Sequence, residues 1–251
     1  MHSTVRNMLR IFSLKVMPLA AVAALIMALV PLGDASAAYS PSVKTAQTIM
    51  HKFALPTGTI DGYYGPNTAR GLCSFRYIAG MSVSRGNVGT PIMNKLRSYN
   101  NRYSSLQKIP APSLNGHTTY AVVQQHCQVM FYVENGHYAR VIPVTTGMPG
   151  HSTPNGYYWM GGTNKGWYCS TMYPESCSYN TAGRFAYLSH YGNMYNMRYF
   201  RSGGYYVHGS TDIRTYPASH GCIRVPVSDS DWMYDHVGNY GPTYLKVTGQ
   251  Y

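Results

Sequence analysis

The segment from Tyr205 to Val227 gathers residue types that suit acyl transfer through a thiol. That chemistry needs a nucleophile, a base to take its proton, a group to orient the base, and donors for the oxyanion. Cys222 is the candidate nucleophile, because a thiol ionises readily and a neighbouring imidazole or cation lowers its pKa further. His208 ends the run Tyr205-Tyr206-Val207-His208 and is followed by Gly209. Twelve positions after His208 comes His220, then Gly221 and Cys222. A strand ending at His208 and a loop through Pro217 would return the chain so that the thiol lies opposite the imidazole. Gly221 permits close backbone approach, and the N–H groups of Gly221 and Cys222 are candidate oxyanion donors. Arg224 falls on the same side of a strand as Cys222. It suits both the thiolate and a substrate carboxylate. Arg224, Tyr206 and Ser219 are the candidate substrate contacts.

Five cysteines leave at least one thiol unpaired. Cys169 and Cys177 flank the turn-like Tyr173-Pro174-Glu175-Ser176 and read as one bridged loop. Cys73 and Cys127 then form the second pair, and Cys222 stays free. Zinc is the competing use of His208, His220 and Cys222. No C-x-x-C or H-E-x-x-H pattern occurs, and His220 and Cys222 are too close for a usual structural clip. Neither a metal nor a cofactor is expected. The remaining histidines, His51 and His117 among them, receive no role.

The start of the chain has the three parts of a secretory signal. Arg6, Arg10 and Lys15 precede an uncharged stretch from Val16 to Gly33, and Ala35-Ser36-Ala37 supplies the small residues for cleavage after Ala37. An uncleaved membrane anchor is the alternative, at the lower limit of length. Cleavage leaves no stable membrane span and an exported chain, folding where disulfides persist. The whole chain carries 20 basic and 8 acidic residues; without residues 1–37 there remain 17 and 7, a net of +10. The cations are scattered rather than blocked, so nucleic acid is not the expected partner. Attraction to an anionic extracellular surface is the better reading.

The elements must place these residues. Val43, Ala46, Ile49, Met50 and Phe53 recur at helical spacing. Gly58 to Gly65 is a tight turn, and Pro66 opens a second helix through Ala69, Leu72, Cys73 and Tyr77. Pro91 to Tyr103 is a third helical candidate, and Pro110-Ala111-Pro112-Ser113 reads as a stiff linker. From Thr118 the period becomes strand-like. Strands are expected over Thr118–Gln124, Gln128–Val133 and Tyr138–Thr145, with a hairpin at Glu134-Asn135-Gly136. Four more are expected over Gly156–Met160, Gly204–His208, Ile223–Val227 and Thr243–Val247. One late helix spans Ser228 to Val237, with Trp232, Met233 and His236 on one face. The fold class is therefore a mainly β domain, a compact sandwich or partial barrel with one late helix, preceded by a small helical module. The expected divisions are 1–37 signal, 38–103 helical module, 104–117 linker and 118–251 catalytic domain. The 25 tyrosines suit glycan and peptide contacts, though core packing accounts for most of them.

Two resemblances then become specific. Ile60-Asp61-Gly62-Tyr63-Tyr64-Gly65-Pro66-Asn67-Thr68, followed by Phe75, resembles the three-helix peptidoglycan-binding domain. Arg76 and Gly71 depart from that family's usual Gln and Ala. A purely structural appendage is the alternative. His208-Gly209, a loop, then Ser219-His220-Gly221-Cys222-Ile223-Arg224 resembles the signature of the L,D-transpeptidase family, the YkuD type. Val144-Thr145-Thr146-Gly147, Thr153-Pro154-Asn155-Gly156-Tyr157-Tyr158 and Trp232 to Val237 with Gly241-Pro242-Thr243 extend the likeness over about Thr118 to Tyr251.

The resemblance implies that Cys222 is the acylated nucleophile and His208 the base, oriented by the Gly209 carbonyl. His220 supports the site, Gly221 and Cys222 supply oxyanion N–H groups, and Arg224 contacts the donor. The implied donor is a peptidoglycan tetrapeptide stem, attacked at the carbonyl of its third residue, with D-Ala leaving. The amine of another stem completes a 3→3 cross-link. The expected partners are stem peptides and glycan, with inhibition by carbapenem-type β-lactams. A monomer in the cell wall, periplasmic space or medium, acting in wall biogenesis and cell shape, is expected. An insertion over about 159–197 departs from the family and reads as a lid. An L,D-carboxypeptidase that passes the acyl group to water, and a non-catalytic wall-binding protein, remain alternatives.

Overall fold

The computed structural model describes residues 38–170, 172, 193–237 and 242–251. The expected signal segment, Cys177 and most of the expected insertion lie outside the described residues, as do residues 238–241 after the late helix.

Three helices lead. α1 spans Pro41–Lys52, α2 Pro66–Ile78 and α3 Thr90–Arg102. Each begins with proline in its first turn, where a missing N–H is harmless and φ is already set. Ser40 caps α1, its side chain accepting the Val43 N–H at 3.4 Å. The turn between α1 and α2 is built around the buried Gln47. Its amide oxygen accepts the N–H groups of Asp61 (3.1 Å) and Gly62 (2.8 Å), while its nitrogen donates to Asp61 Oδ1, Tyr63 O and Thr68 Oγ1. Gly62 has φ +82, and a Cβ there would lie 2.5 Å from the Tyr39 ring. The Asp61-Gly62 signature is thus a folding device here.

Eight strands follow: β1 Tyr120–Gln124, β2 Val129–Glu134, β3 His137–Pro143, β4 Gly156–Tyr168, β5 Met194–Arg201, β6 Tyr205–Ser210, β7 Ile223–Pro226 and β8 Thr243–Thr248. Their order is β3-β2-β1-β8-β4-β5-β6-β7. Asn135 and Gly136 take positive φ (50° and 75°), the left-handed pair that turns β2 into β3. Beyond β3, Thr145 bridges Arg224 of β7 through two backbone hydrogen bonds of 3.0 and 2.9 Å. The two edges of the sheet therefore meet, and the sheet rolls into a partial barrel. β5 was not expected from sequence, and β4 runs to Tyr168, well past the expected Met160.

Two apolar clusters share the sheet. Ala121, Val123, Ile142, Val207, Ile223 and Leu245 fill the inside of the roll. On the opposite face of β1 to β3, Val122, Phe131 and Tyr138 pack with Ala46, Leu72 and Leu96 of the helices. β1 is buried at every position because it is covered on both sides. The disulfide Cys73–Cys127 ties α2 to the β1–β2 turn. The 110–113 stretch lies along the sheet, with Pro110 bridging His137 and Ala111 N–H donating to Gly136 O. The tyrosines divide as well: Tyr120, Tyr132 and Tyr138 are core, while Tyr39, Tyr63 and Tyr157 are exposed. The late helix, α4, spans Val227–Val237. Met233 enters the core, and Trp232 packs edge-on to Tyr132 and stacks on His236.

Candidate active site

β6 and β7 run parallel, with Val207 opposite Ile223 and His208 opposite Arg224. Strand alternation then sorts these residues by face. Val207, Ile223 and Val225 point into the roll. Tyr206, His208, Cys222 and Arg224 instead line a cavity of about 630 Å3. Ser219 and His220 line it too.

His208 is 4 % exposed. Its Nδ1 lies 3.0 Å from the Gly209 carbonyl oxygen. A carbonyl can only accept, so Nδ1 carries the proton and Nε2 keeps a lone pair in the neutral ring. Burial lowers the imidazole pKa to about 4; the Gly209 bond opposes this and the Arg224 charge adds to it. Cys222 is the free cysteine among the described residues. Its Sγ lies 3.5 Å from the Gly204 carbonyl oxygen. Burial pushes the thiol pKa up, against the Tyr206 backbone N–H and the Arg224 cation. Both shifts favour neutral groups. Burial thus favours the uncharged thiol and the uncharged imidazole.

The turn into Cys222 is tightly specified. Gly221 has φ +110, and a Cβ there would come within 2.7 Å of the Tyr205 ring. Thr153 is buried, and its Oγ1 accepts the Gly147 N–H and donates to Gly221 O, each at 2.8 Å. Ser219 Oγ donates to Cys222 O at 2.5 Å and accepts the Gly221 N–H at 3.2 Å. The Gly221 N–H is thus turned into its own segment. His220 packs its ring 4.8 Å from that of His151.

Arg224 is anchored on its free side. Its Nη1 donates to Asp212 Oδ2 at 2.9 Å, and Arg214 Nε holds the other Asp212 oxygen. Cys169, Ser170 and Met172 also line the cavity, from the segment expected to act as a lid. Cys169 is disulfide-bonded. Among the described residues no group of three or more His, Cys, Asp or Glu is arranged to hold a metal ion. Sequence reasoning overlooked Asp212, Thr153, Tyr205 and His151. Thr153 stood in the segment Thr153-Pro154-Asn155-Gly156-Tyr157-Tyr158 and Tyr205 at the head of the run to His208, but neither was given a role, and Asp212 stood as an acid within the loop joining His208 to Cys222. Their roles come from contacts made in the fold.

The model of the YkuD family, the L,D-transpeptidase catalytic domain, matches residues 118–245. Among solved structures, an L,D-transpeptidase from Xylanimonas cellulosilytica DSM 15894 is similar at 25 % identity and TM-score 0.51, covering 85 % of this chain and 96 % of that one. One from Stackebrandtia nassauensis is 20 % identical with TM-score 0.45, over 84 % and 93 % of the two chains. One from Mycobacterium smegmatis is 18 % identical with TM-score 0.42, over 55 % and 65 %. A search of curated proteins found no match. Fold and family match together define an acyltransferase. The chain belongs to the L,D-transpeptidase family through its catalytic domain, and it is an enzyme of that class.

Proposed function

We propose that the protein is an exported cysteine L,D-transpeptidase that makes 3→3 cross-links between peptidoglycan stems. The observation that carries this reading is the free Cys222 thiol sharing a cavity with His208, whose Nδ1 proton is fixed on the Gly209 carbonyl. That tautomer leaves His208 Nε2 as the base. Nε2 takes the Sγ proton while Sγ attacks the carbonyl of the third stem residue. The carbonyl–nitrogen bond breaks, and the proton passes from Nε2 to the departing D-Ala amine. The thioester is then attacked by the amine of a second stem, which gives its proton to Nε2. Sγ leaves and is reprotonated. Oxyanion donation falls first to the Cys222 N–H, because Ser219 Oγ holds that of Gly221. Gly221 serves chiefly to admit the Tyr205 ring. Arg224 holds the donor carboxylate, with Tyr206 and Ser219 beside it, and His220 supports the thiol segment.

Export rests on the sequence of residues 1–37, with cleavage after Ala37 and a monomer released to the wall. Among the described residues no helix is long and apolar enough to cross a membrane. The helical module is the wall-binding part of this reading through its resemblance to the three-helix peptidoglycan-binding domain, with Asp61 and Gly62 shaping its turn. Incubation with a disaccharide-tetrapeptide should yield cross-linked dimer, resolved by mass. Tripeptide alone would mark a carboxypeptidase. A carbapenem should leave a covalent adduct on Cys222, and Cys222→Ala should abolish both adduct and dimer. Activity surviving that substitution would show that another nucleophile acts.

A further inference from the structure

We propose that Arg70 and Arg85, from the helical module, are positioning residues for the active site: together they hold the loop that anchors Arg224. Arg70 lies on α2 and is buried, 4 % exposed. Its Nη2 donates to the Arg214 carbonyl. Arg85 lies in the connection between α2 and α3, and its Nη1 donates to the Thr215 carbonyl at 2.5 Å. Two cations from the module therefore grip two consecutive carbonyls of the loop joining His208 to Cys222.

Arg85 is itself held. Arg76 Nη1 donates to Ser84 O and Gly86 O, and its Nη2 to Asn87 O, which fixes the backbone on both sides of Arg85. Tyr64 OH binds the Arg85 carbonyl, and the Arg85 guanidinium lies 5.2 Å from the Tyr251 ring centroid. From the gripped carbonyls the connection to Arg224 is short. Arg214 N–H donates to the buried Thr145 Oγ1 at 2.6 Å, and Arg214 Nε binds the Asp212 carboxylate that fixes Arg224.

Burying a guanidinium is costly unless its charge and donors are used. Arg70 Nε has no hydrogen-bond partner among the described residues. A helix that only had to adhere to the sheet would bury an apolar residue at that position. A buried cation aimed at one loop carbonyl fits local positioning instead. The module thereby becomes part of the catalytic apparatus, whatever it binds outside.

The test rests on the proposed function, in which Arg224 holds the donor carboxylate, and it separates the two. Full-length protein is compared as wild type, Arg85→Ala, Arg70→Gln, Arg224→Ala and the Arg85→Ala/Arg224→Ala double variant. Arg85→Ala should raise KM for the tetrapeptide donor about tenfold with kcat changed less than about threefold. Arg85→Lys should recover part of this. The double variant should be no worse than Arg224→Ala, because both act on one group. In NMR spectra the Arg224 Nε–H signal, assigned by its loss in Arg224→Ala, should shift or broaden in Arg85→Ala and Arg70→Gln while the His208 ring signals stay. Additive KM effects, or an unmoved Arg224 signal in Arg85→Ala, would overturn the positioning role. If Arg224→Ala leaves KM unchanged, the donor-anchoring reading falls, and the Nε–H signal alone decides the positioning. Should Arg70→Gln fail to fold, the Arg85→Ala result stands by itself.

Discussion

At the scale of single residues, the site trades charge for burial. His208 titrates near 4 against an ordinary 6.5 because its ring is shielded from water. The unfolded chain therefore binds this proton more readily than the folded one. The stability His208 contributes is complete above pH 6.5 and is lost as pH falls toward 4. The size is about 3 kcal/mol, at roughly 1.4 kcal/mol for each pH unit separating the two values. Urea midpoints measured between pH 7 and 4 should fall accordingly, and a His208→Gln variant should show a flatter slope. The acid limb of β-lactam acylation should likewise lie well below pH 6. An inflection at 6.5 would mean that water reaches the ring. Thr153 gives a second prediction. Thr153→Val strands the Gly147 N–H and Gly221 carbonyl in a dry setting, and should cost about 2–4 kcal/mol by denaturant unfolding.

At the scale of elements, the α1–α2 turn and the segment into Cys222 follow one logic. Each uses a positive-φ glycine pressed against an aromatic ring, Gly62 against Tyr39 and Gly221 against Tyr205. Each is secured by a side chain that serves more than one backbone group, Gln47 in the first and Ser219 in the second. Gln47→Ala should lower stability by about 2–3 kcal/mol, since several buried groups lose partners at once. Circular dichroism melts would show it. Carbapenem acylation of Cys222 should persist in that variant at temperatures where it remains folded. β6 and β7 place His208 and Arg224 side by side through parallel pairing. No local sequence rule gives that pairing, although both strands were legible as apolar runs. β5 escaped sequence reading for another reason. Met194 to Arg201 alternates buried and half-exposed positions, yet its buried side includes Asn196 and Arg198. Arg198 Nη2 donates to the Met233 carbonyl at 2.9 Å, a partner visible only in the fold, while its buried Nε has no partner among the described residues.

At the scale of the whole molecule, helices and sheet share a core on one side of β1 to β3. The Cys73–Cys127 disulfide closes that association across 54 positions of sequence. Restricting the unfolded chain over such a loop stabilises the fold by about 4 kcal/mol on the chain-entropy account. The Cys73→Ser/Cys127→Ser variant should lower the denaturant midpoint to match. Labelling of Cys222 by iodoacetamide in the folded state should be unchanged, since neither bridged cysteine lines the cavity. The net charge, +10 without residues 1–37, acts at this scale too. Sedimentation with purified wall should weaken with added salt, because screening removes long-range attraction.

Residue identity and spacing alone put this chemistry on offer. An odd cysteine, a strand-ending histidine followed by glycine, and a strand-facing arginine are local facts, fixed by residue type, parity and period. The hairpin at Asn135-Gly136 and the three proline-started helices were equally local. Long-range packing set how that chemistry is tuned and held. Rolling the sheet brought Thr145 to Arg224 and buried His208, which sets its proton affinity. The same packing delivered Asp212 to Arg224 and carried Arg70 and Arg85 onto the loop beside them. Those contacts join residues up to 144 positions apart. Local propensity carries no record of such separations, because they arise only when distant apolar surfaces share one core.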